Sequence, residues 1–148
     1  MASRSTFTGS VHVPSPVNEA ARDFAPGSEE ALSLRKEIER VAGEVRVLTH
    51  VIGGRRPEPV DTAAVTVPHD HRHVLAHYPR ATDADVDAAI TAALAARPAW
   101  SATPWFERAA VFLRAADLVA GKYREELLAT TMLGQSKTFH QAEIDVNE

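Results

Sequence analysis

The stretch Thr103-Pro-Trp-Phe-Glu-Arg-Ala-Ala-Val-Phe-Leu-Arg-Ala-Ala-Asp-Leu118 reads as a helix carrying its own start signal. Thr103 is placed to cap it, and Pro104 suits a first helical position, where a missing N–H costs nothing. Phe106, Ala109, Ala110, Leu113, Ala116 and Ala120 recur at helical spacing and predict a buried stripe, which Gly121 ends. A second helical pattern lies just upstream. Thr82 with Asp85 has the form of a capping box, although Asp reaches less far than Glu. Val86, Ile90 and Leu94 fall at i, i+4 and i+8, Ala89 and Ala93 widen that face, and Pro98 marks its expected end. Downstream, Tyr123, Leu127 and Met132 carry a third helix to Gly134. A last one is expected from about Thr138 through Phe139, Ala142 and Val146.

Toward the N-terminus the periodicity changes. Val45–Ile52 is rich in β-branched residues and is closed by Gly53-Gly54, so it reads as a strand. Ala63–Val67 and Val74–Tyr78 are the next two, joined by the polar segment Pro68–His73. Before them, Ser28 is suited to cap a helix. Glu29 and Glu30 match the positive end of its dipole, Ala31, Leu34, Ile38 and Val41 form its apolar face, and Gly43 is its stop. Residues 1–27 hold Ser3, Ser5, Ser10, Pro14, Pro16 and Pro26 without periodicity. The expected organisation is therefore an irregular arm over 1–27, a helix over 28–44, short β-strands over 45–80 and several helices over 81–148. Strands come first and helices later, with no alternating βαβ pattern and too few strands for a complete α/β core. That order suits a piece of a larger domain.

Composition narrows the function classes. With 148 residues, 45% of them hydrophobic and 24% charged, the chain has the usual globular balance. Its net charge of −4 and scattered basic residues argue against nucleic acid. No apolar stretch is long enough to span a bilayer, and the start has no apolar run of signal-peptide type, so a cytoplasmic protein is expected. The 148 residues contain no cysteine, which excludes disulfides, thiolate metal sites and a cysteine nucleophile within them.

Three stretches resemble the aldehyde dehydrogenases, and within them the 1-pyrroline-5-carboxylate dehydrogenase branch. Pro16-Val-Asn-Glu19 followed by Phe24-Ala-Pro-Gly-Ser28 is similar to the opening of that branch. Trp100 followed by Glu107-Arg108 and then Ala116-Asp117-Leu118 has a spacing shared across the superfamily. Met132-Leu-Gly-Gln-Ser-Lys-Thr138 with Gln141-Ala-Glu-Ile-Asp145 stands where most members read Glu-Thr-Gly-Lys-Pro, and its Gly-Gln-Ser-Lys-Thr form is particular to the branch. The likeness covers roughly residues 14–145 and departs at Val146-Asn147-Glu148, which has the look of a cut frame. It implies an α/β fold of which this chain is the N-terminal part, mostly helical with a few short strands, with 81–148 supplying the first helices of an incomplete cofactor-binding domain. It also implies that the full-length relative oxidises L-glutamate γ-semialdehyde to L-glutamate with NAD in proline catabolism, as a homo-oligomer with dimer contacts through its β elements. In that chemistry a cysteine thiolate attacks the aldehyde, hydride leaves to the nicotinamide, and a glutamate assists hydrolysis of the thioester. The family's cysteine, glutamate and nucleotide-contacting loops lie beyond position 148. No catalytic, cofactor-binding or metal residue is therefore assigned here, and the isolated chain is expected to be inactive, to bind no NAD and to pack poorly.

Four constellations deserve weighing. His69, His71 and His73 alternate, so on a strand they share a face that suits Zn or Ni. The plainer reading, which we adopt, is a polar exposed turn. Lys137 in Gly-Gln-Ser-Lys-Thr has a phosphate-loop look, but the second glycine and the preceding strand are missing, so a turn between helices is expected. Glu143 and Asp145, two apart on a helix, point in different directions and are expected to be solvent-exposed. Trp100 and Trp105 are expected to be packing anchors. Besides an enzyme piece, the sequence allows an interaction module or pseudo-enzyme docking on an intact dehydrogenase subunit, and a His-rich metal-binding protein.

Overall fold

The computed structural model describes residues 9–17 and 19–148. Within the expected arm, residues 9–17 and 19–27 form no helix or strand, and residues 1–8 and 18 lie outside the description. Five helices and three strands follow: α1 (Glu29–Gly43), β1 (Arg46–Val47), β2 (Thr62–Val67), β3 (Asp70–Pro79), α2 (Asp83–Ala102), α3 (Trp105–Ala120), α4 (Arg124–Gln135) and α5 (Phe139–Asn147). The fold is the mostly helical α/β arrangement expected, with a small mixed sheet in the order β1-β3-β2.

The start signals at Ser28 and Thr82 act as read. Ser28 accepts from the Ala31 N–H and caps α1. Thr82 and Asp85 close a reciprocal capping box on α2, and Thr138 and Gln141 close another on α5. The glycines Gly53 and Gly54 turn the chain with φ of 57° and 77°, backbone that L-residues rarely adopt.

The strands differ from expectation in extent. β2 and β3 pair antiparallel through a turn of only Pro68 and His69, so β3 starts at Asp70 and takes in most of the segment expected to be a loop. Register shifts on either side of Thr66 bring Val67 opposite Asp70. Of the strand expected over Val45–Ile52, only Arg46–Val47 is one, parallel to β3 with Arg46 opposite Ala76. The Leu48 N–H still reaches the His77 carbonyl at 2.8 Å. Two residues further β3 ends at Pro79, which has no N–H to donate, and the parallel ladder has nothing to continue on.

The helical region departs at one junction. Pro98 does not end α2, which runs four residues further. Thr103 caps the end of α2 rather than the start of α3: its hydroxyl and its N–H both meet the Ala99 carbonyl. Pro104 takes the N-cap place of α3, with no side-chain cap.

The core lies where α1, α4, α5 and the arm meet. Phe24, Leu34, Val41, Leu128, Ala129 and Ala142 are buried together, and Ala31, Ile38, Met132 and Val146 lean on them. Phe24 enters with φ of 48°, uncommon for a bulky side chain, and its ring lies 5.7 Å from that of Phe139. The stripes expected to be buried on α2 and α3 are not. Neither helix holds a buried residue, and Ile90, Leu94 and Leu113 are 54%, 60% and 42% exposed. The periodicity was a sound reading of amphipathic helices, but the surface that such stripes face is not among the described residues.

Candidate functional site

The polar centre of the molecule is one that sequence patterning did not mark. Arg124 opens α4 and is 2% exposed; Glu143, in the middle of α5, is 1% exposed. A guanidinium at a helix N-terminus opposes the positive end of the dipole, so this position requires carboxylates nearby. They are present. Arg124 Nη2 donates to Glu143 Oε1 and, at 2.7 Å, to Asn147 Oδ1, while Nη1 donates to Glu19 Oε2 at 2.7 Å. Glu143 Oε1 also accepts the backbone N–H of Arg22 at 2.8 Å. The cluster therefore ties the arm, α4 and α5 at one point. A cleft of about 380 Å³ opens beside it, lined by Val17, Glu19, Ala116, Val119, Arg124 and Val146 among others. The expectation of a solvent-exposed Glu143 is thus overturned, because α5 turns that carboxylate inward onto a cation 19 residues away. Asp145 does face outward, and pairs with Lys137.

A second set of charges staples α1 to α4 and β1. Glu126 accepts from Arg46 at 2.7 Å and lies 3.6 Å from Arg40, while Ser33 donates to Glu125 at 2.8 Å. Arg40 also grips Glu37, whose carboxyl it holds below the usual range, chiefly by that hydrogen bond. These groups are partly exposed and serve as braces.

The residues singled out from sequence fall as follows. His69 Nδ1 lies 2.7 Å from Ser136 Oγ, and His73 Nε2 lies 2.9 Å from the Ala42 carbonyl, so these two bind different elements; His71 is exposed. Among the described residues no group of three His, Asp or Glu side chains is arranged to hold a metal. Lys137 sits in the turn between α4 and α5, where Ser136 adopts a left-handed conformation. Trp100 and Trp105 are 44% and 53% exposed, not the anchors expected, although Trp105 meets Phe106 edge-on. Among the described residues no helix is long and apolar enough to cross a membrane.

A dinucleotide crevice needs a glycine-rich turn between a strand and a helix, at the carboxyl ends of parallel strands. Here the parallel pairing is confined to Arg46 and Val47, and α2 follows β3 through Arg80, Ala81 and Thr82 with no glycine. Among the described residues there is no glycine-rich turn of this kind between a strand and a helix.

Comparison with known proteins gives the relationship. The model of the aldehyde dehydrogenase family matches residues 56–148. A crystal structure of the Delta-pyrroline-5-carboxylate dehydrogenase from Mycobacterium tuberculosis bound with NAD superposes with a TM-score of 0.90 at 47% identity, covering 95% of this chain and 26% of that one. Delta-1-pyrroline-5-carboxylate dehydrogenase of Agaricus bisporus is 37% identical over 134 residues, 90% of this chain and 24% of that protein. The mitochondrial enzyme of Mus musculus is 41% identical over 128 residues, 86% of this chain and 23% of its own length. The chain spans about a quarter of the length of these relatives. The family match over residues 56–148 together with the superposition leaves one conclusion: this chain belongs to the aldehyde dehydrogenase family.

Proposed function

We propose that these 148 residues supply the N-terminal scaffold of a 1-pyrroline-5-carboxylate dehydrogenase, an NAD-dependent enzyme that oxidises L-glutamate γ-semialdehyde to L-glutamate in the cytoplasm. The observation that carries this is the superposition on the mycobacterial enzyme, at 47% identity over 95% of the chain. NAD would supply the hydride acceptor in the whole enzyme. This chain's own residues do other work. Arg124 and Glu143 fix the arm against α4 and α5, and the braces of Glu126 hold α1 and β1 on the same helix.

With no cysteine and no glycine-rich strand-to-helix turn, the chain by itself is read as inactive and as not binding NAD. A chimera tests the assignment. Residues 14–145 replace the matching segment of the mycobacterial enzyme, and NADH formation is followed with 1-pyrroline-5-carboxylate. The expected result is turnover within about tenfold of the parent, a change of about 1.4 kcal/mol in the barrier. A chimera that binds NAD like the parent but turns over a different aldehyde, or none, would overturn the substrate assignment. A second reading, an interaction module that docks on a dehydrogenase subunit, is favoured by the exposed apolar faces of α2 and α3.

A further inference from the structure

A groove of about 340 Å³ opens where the arm, α1, α4 and the start of α5 meet. Part of its wall is core, since Phe24 and Leu34 are buried. The rest is apolar and open to solvent: Leu32 and Phe139 line it at 53% and 39% exposure. Phe24 holds its place with a left-handed backbone, φ 48°, and outliers of this kind cluster at ligand clamps. Its ring meets that of Phe139 tilted by 58°, and the part of Phe139 left exposed can receive another ring. The thioether of Met132, also in the lining, is a favourable neighbour for an aromatic edge.

A single charge lines this groove, and it is unpaired. Arg40, further along α1, is held by Glu37 and Glu44. Arg35 has no hydrogen bond or ion pair among the described residues, although Glu39 follows it by four positions on the same helix. The lining contains no carboxylate, so an ammonium group would find no counter-charge there. A carboxylate would meet the free planar fork of Arg35, which can donate two parallel hydrogen bonds. Small-molecule sites are mostly apolar, with a few polar groups that fix orientation, and span roughly 300–1,000 Å³. This groove lies at the small end of that range, which suits one ring on a short chain. We propose that the groove between the arm, α1, α4 and α5 binds a small aromatic monocarboxylate, its ring against Phe139 and Met132 and its carboxylate on Arg35. The site is read from these residues alone and does not depend on which aldehyde the whole enzyme oxidises.

The test is titration of the full 148-residue chain with phenylbutyrate, followed by amide chemical shifts in NMR and by calorimetry. The expected result is saturable one-to-one binding, with the shifts concentrated at Ala31, Met132 and Phe139. Phenylbutanol and phenylbutylammonium keep the ring and lose the carboxylate, so each should bind about tenfold more weakly or worse. Arg35→Gln should weaken phenylbutyrate by about the same factor, and Arg35→Lys, which keeps the charge without the fork, should fall between. Leu32→Asp puts a like charge beside the bound carboxylate and should also weaken it. Lys36→Gln removes the next cation along α1, outside the lining, and should change nothing. Leu32 and Arg35 are exposed, so these variants keep their helix content by circular dichroism. The inference is overturned if binding does not saturate at millimolar phenylbutyrate, or if phenylbutanol binds as tightly. It is equally overturned if Arg35→Gln binds like the wild type, or if Lys36→Gln weakens binding as much as Arg35→Gln does. Because the readout is binding to this chain, a failed substrate assay of the chimera leaves the result standing, and the reverse.

Discussion

Arg124→Ala is the perturbation that most directly probes how the arm is held. The substitution removes three donated hydrogen bonds, to Glu19, Glu143 and Asn147. It leaves Glu143, 1% exposed, with only the Arg22 N–H against its charge. Breaking a buried ion pair from one side costs about 3–5 kcal/mol, because the surviving charge stays desolvated. About 1.4 kcal/mol is a factor of ten, so the population in which the arm has lifted should rise by roughly two to three and a half orders of magnitude. The arm carries its own reporter, Phe24, which is buried in the core at 8% exposure. Chymotrypsin cleavage after Phe24, at enzyme levels low enough that opening equilibrates before cutting, follows that population. Arg124→Lys keeps a charge but lacks the planar fork that meets three acceptors, so an intermediate rate is expected. The double variant Arg124→Met with Glu143→Leu guards against general unfolding. Arg124 Nε and Glu143 Oε2 have no hydrogen-bond partner, so the native pair is incompletely compensated. Replacing both charges by apolar groups should therefore restore most of the protection. A rate for Arg124→Ala within about fivefold of wild type, a change near 1 kcal/mol, would refute the argument that this cluster clasps the arm.

Further outcomes follow from other parts of the molecule. Purified chain mixed with 1-pyrroline-5-carboxylate and NAD should give no NADH above a no-protein control, and a rate that scales with protein would show a nucleophile other than cysteine. Titration with Zn²⁺ or Ni²⁺ should be flat by calorimetry, since His69 and His73 are directed to Ser136 and Ala42; a stoichiometric signal abolished by His71→Ala would contradict this. Hydrogen bonds from the Thr82 backbone and hydroxyl hold the Asp85 carboxyl below its ordinary pKa, so its contribution to the α2 cap is present at neutral pH and is lost as pH falls through that lowered value. Helix content between pH 5 and pH 2, read by circular dichroism, should drop more in wild type than in Asp85→Asn, starting below about pH 4. Thr138→Ala, which removes the α5 cap, should cost about 1 kcal/mol in a urea titration monitored at α5.

What was legible in the sequence was local. Ser28 and Thr82 cap helices because each hydroxyl needs only an N–H three residues ahead, and Gly53-Gly54 turns because only glycine takes that backbone cheaply. Pro98 was misleading for a related reason. A proline removes one helical hydrogen bond, here the one to the Leu94 carbonyl, yet the helix continues past it to Ala102, where the hydroxyl and N–H of Thr103 close on the Ala99 carbonyl. Strand lengths were not legible, since β1 is limited by where β3 ends and not by its own β-branched composition.

The candidate site was illegible for a different reason. Glu143 follows Ala142 in a helix whose buried face is a matter of one residue's rotation, and its partners are 19 and 121 positions away. Periodicity assigns a charged residue to solvent by default, and only tertiary packing reverses that assignment. The reverse error occurred on α2 and α3. There the stripes were read as buried, and the described residues leave them in solvent. Both errors have a single physical origin: an amphipathic pattern specifies that a face needs a partner but carries no record of whether the partner lies in the same 148 residues. For Glu143 the partner is Arg124, within the chain. For Ile90 and Phe112 no such partner is found among the described residues, so α2 has little apolar cover to hold it. Amide exchange separates the two cases without any ligand. Core amides of α4 around Leu128 should be protected to the full extent of the fold's stability, whereas those of α2 around Ile90 should exchange within about tenfold of an unstructured chain. Equal protection in both helices of the isolated monomer would mean that α2 is held by this chain alone, and would refute the reading of α2 as a helix without apolar cover.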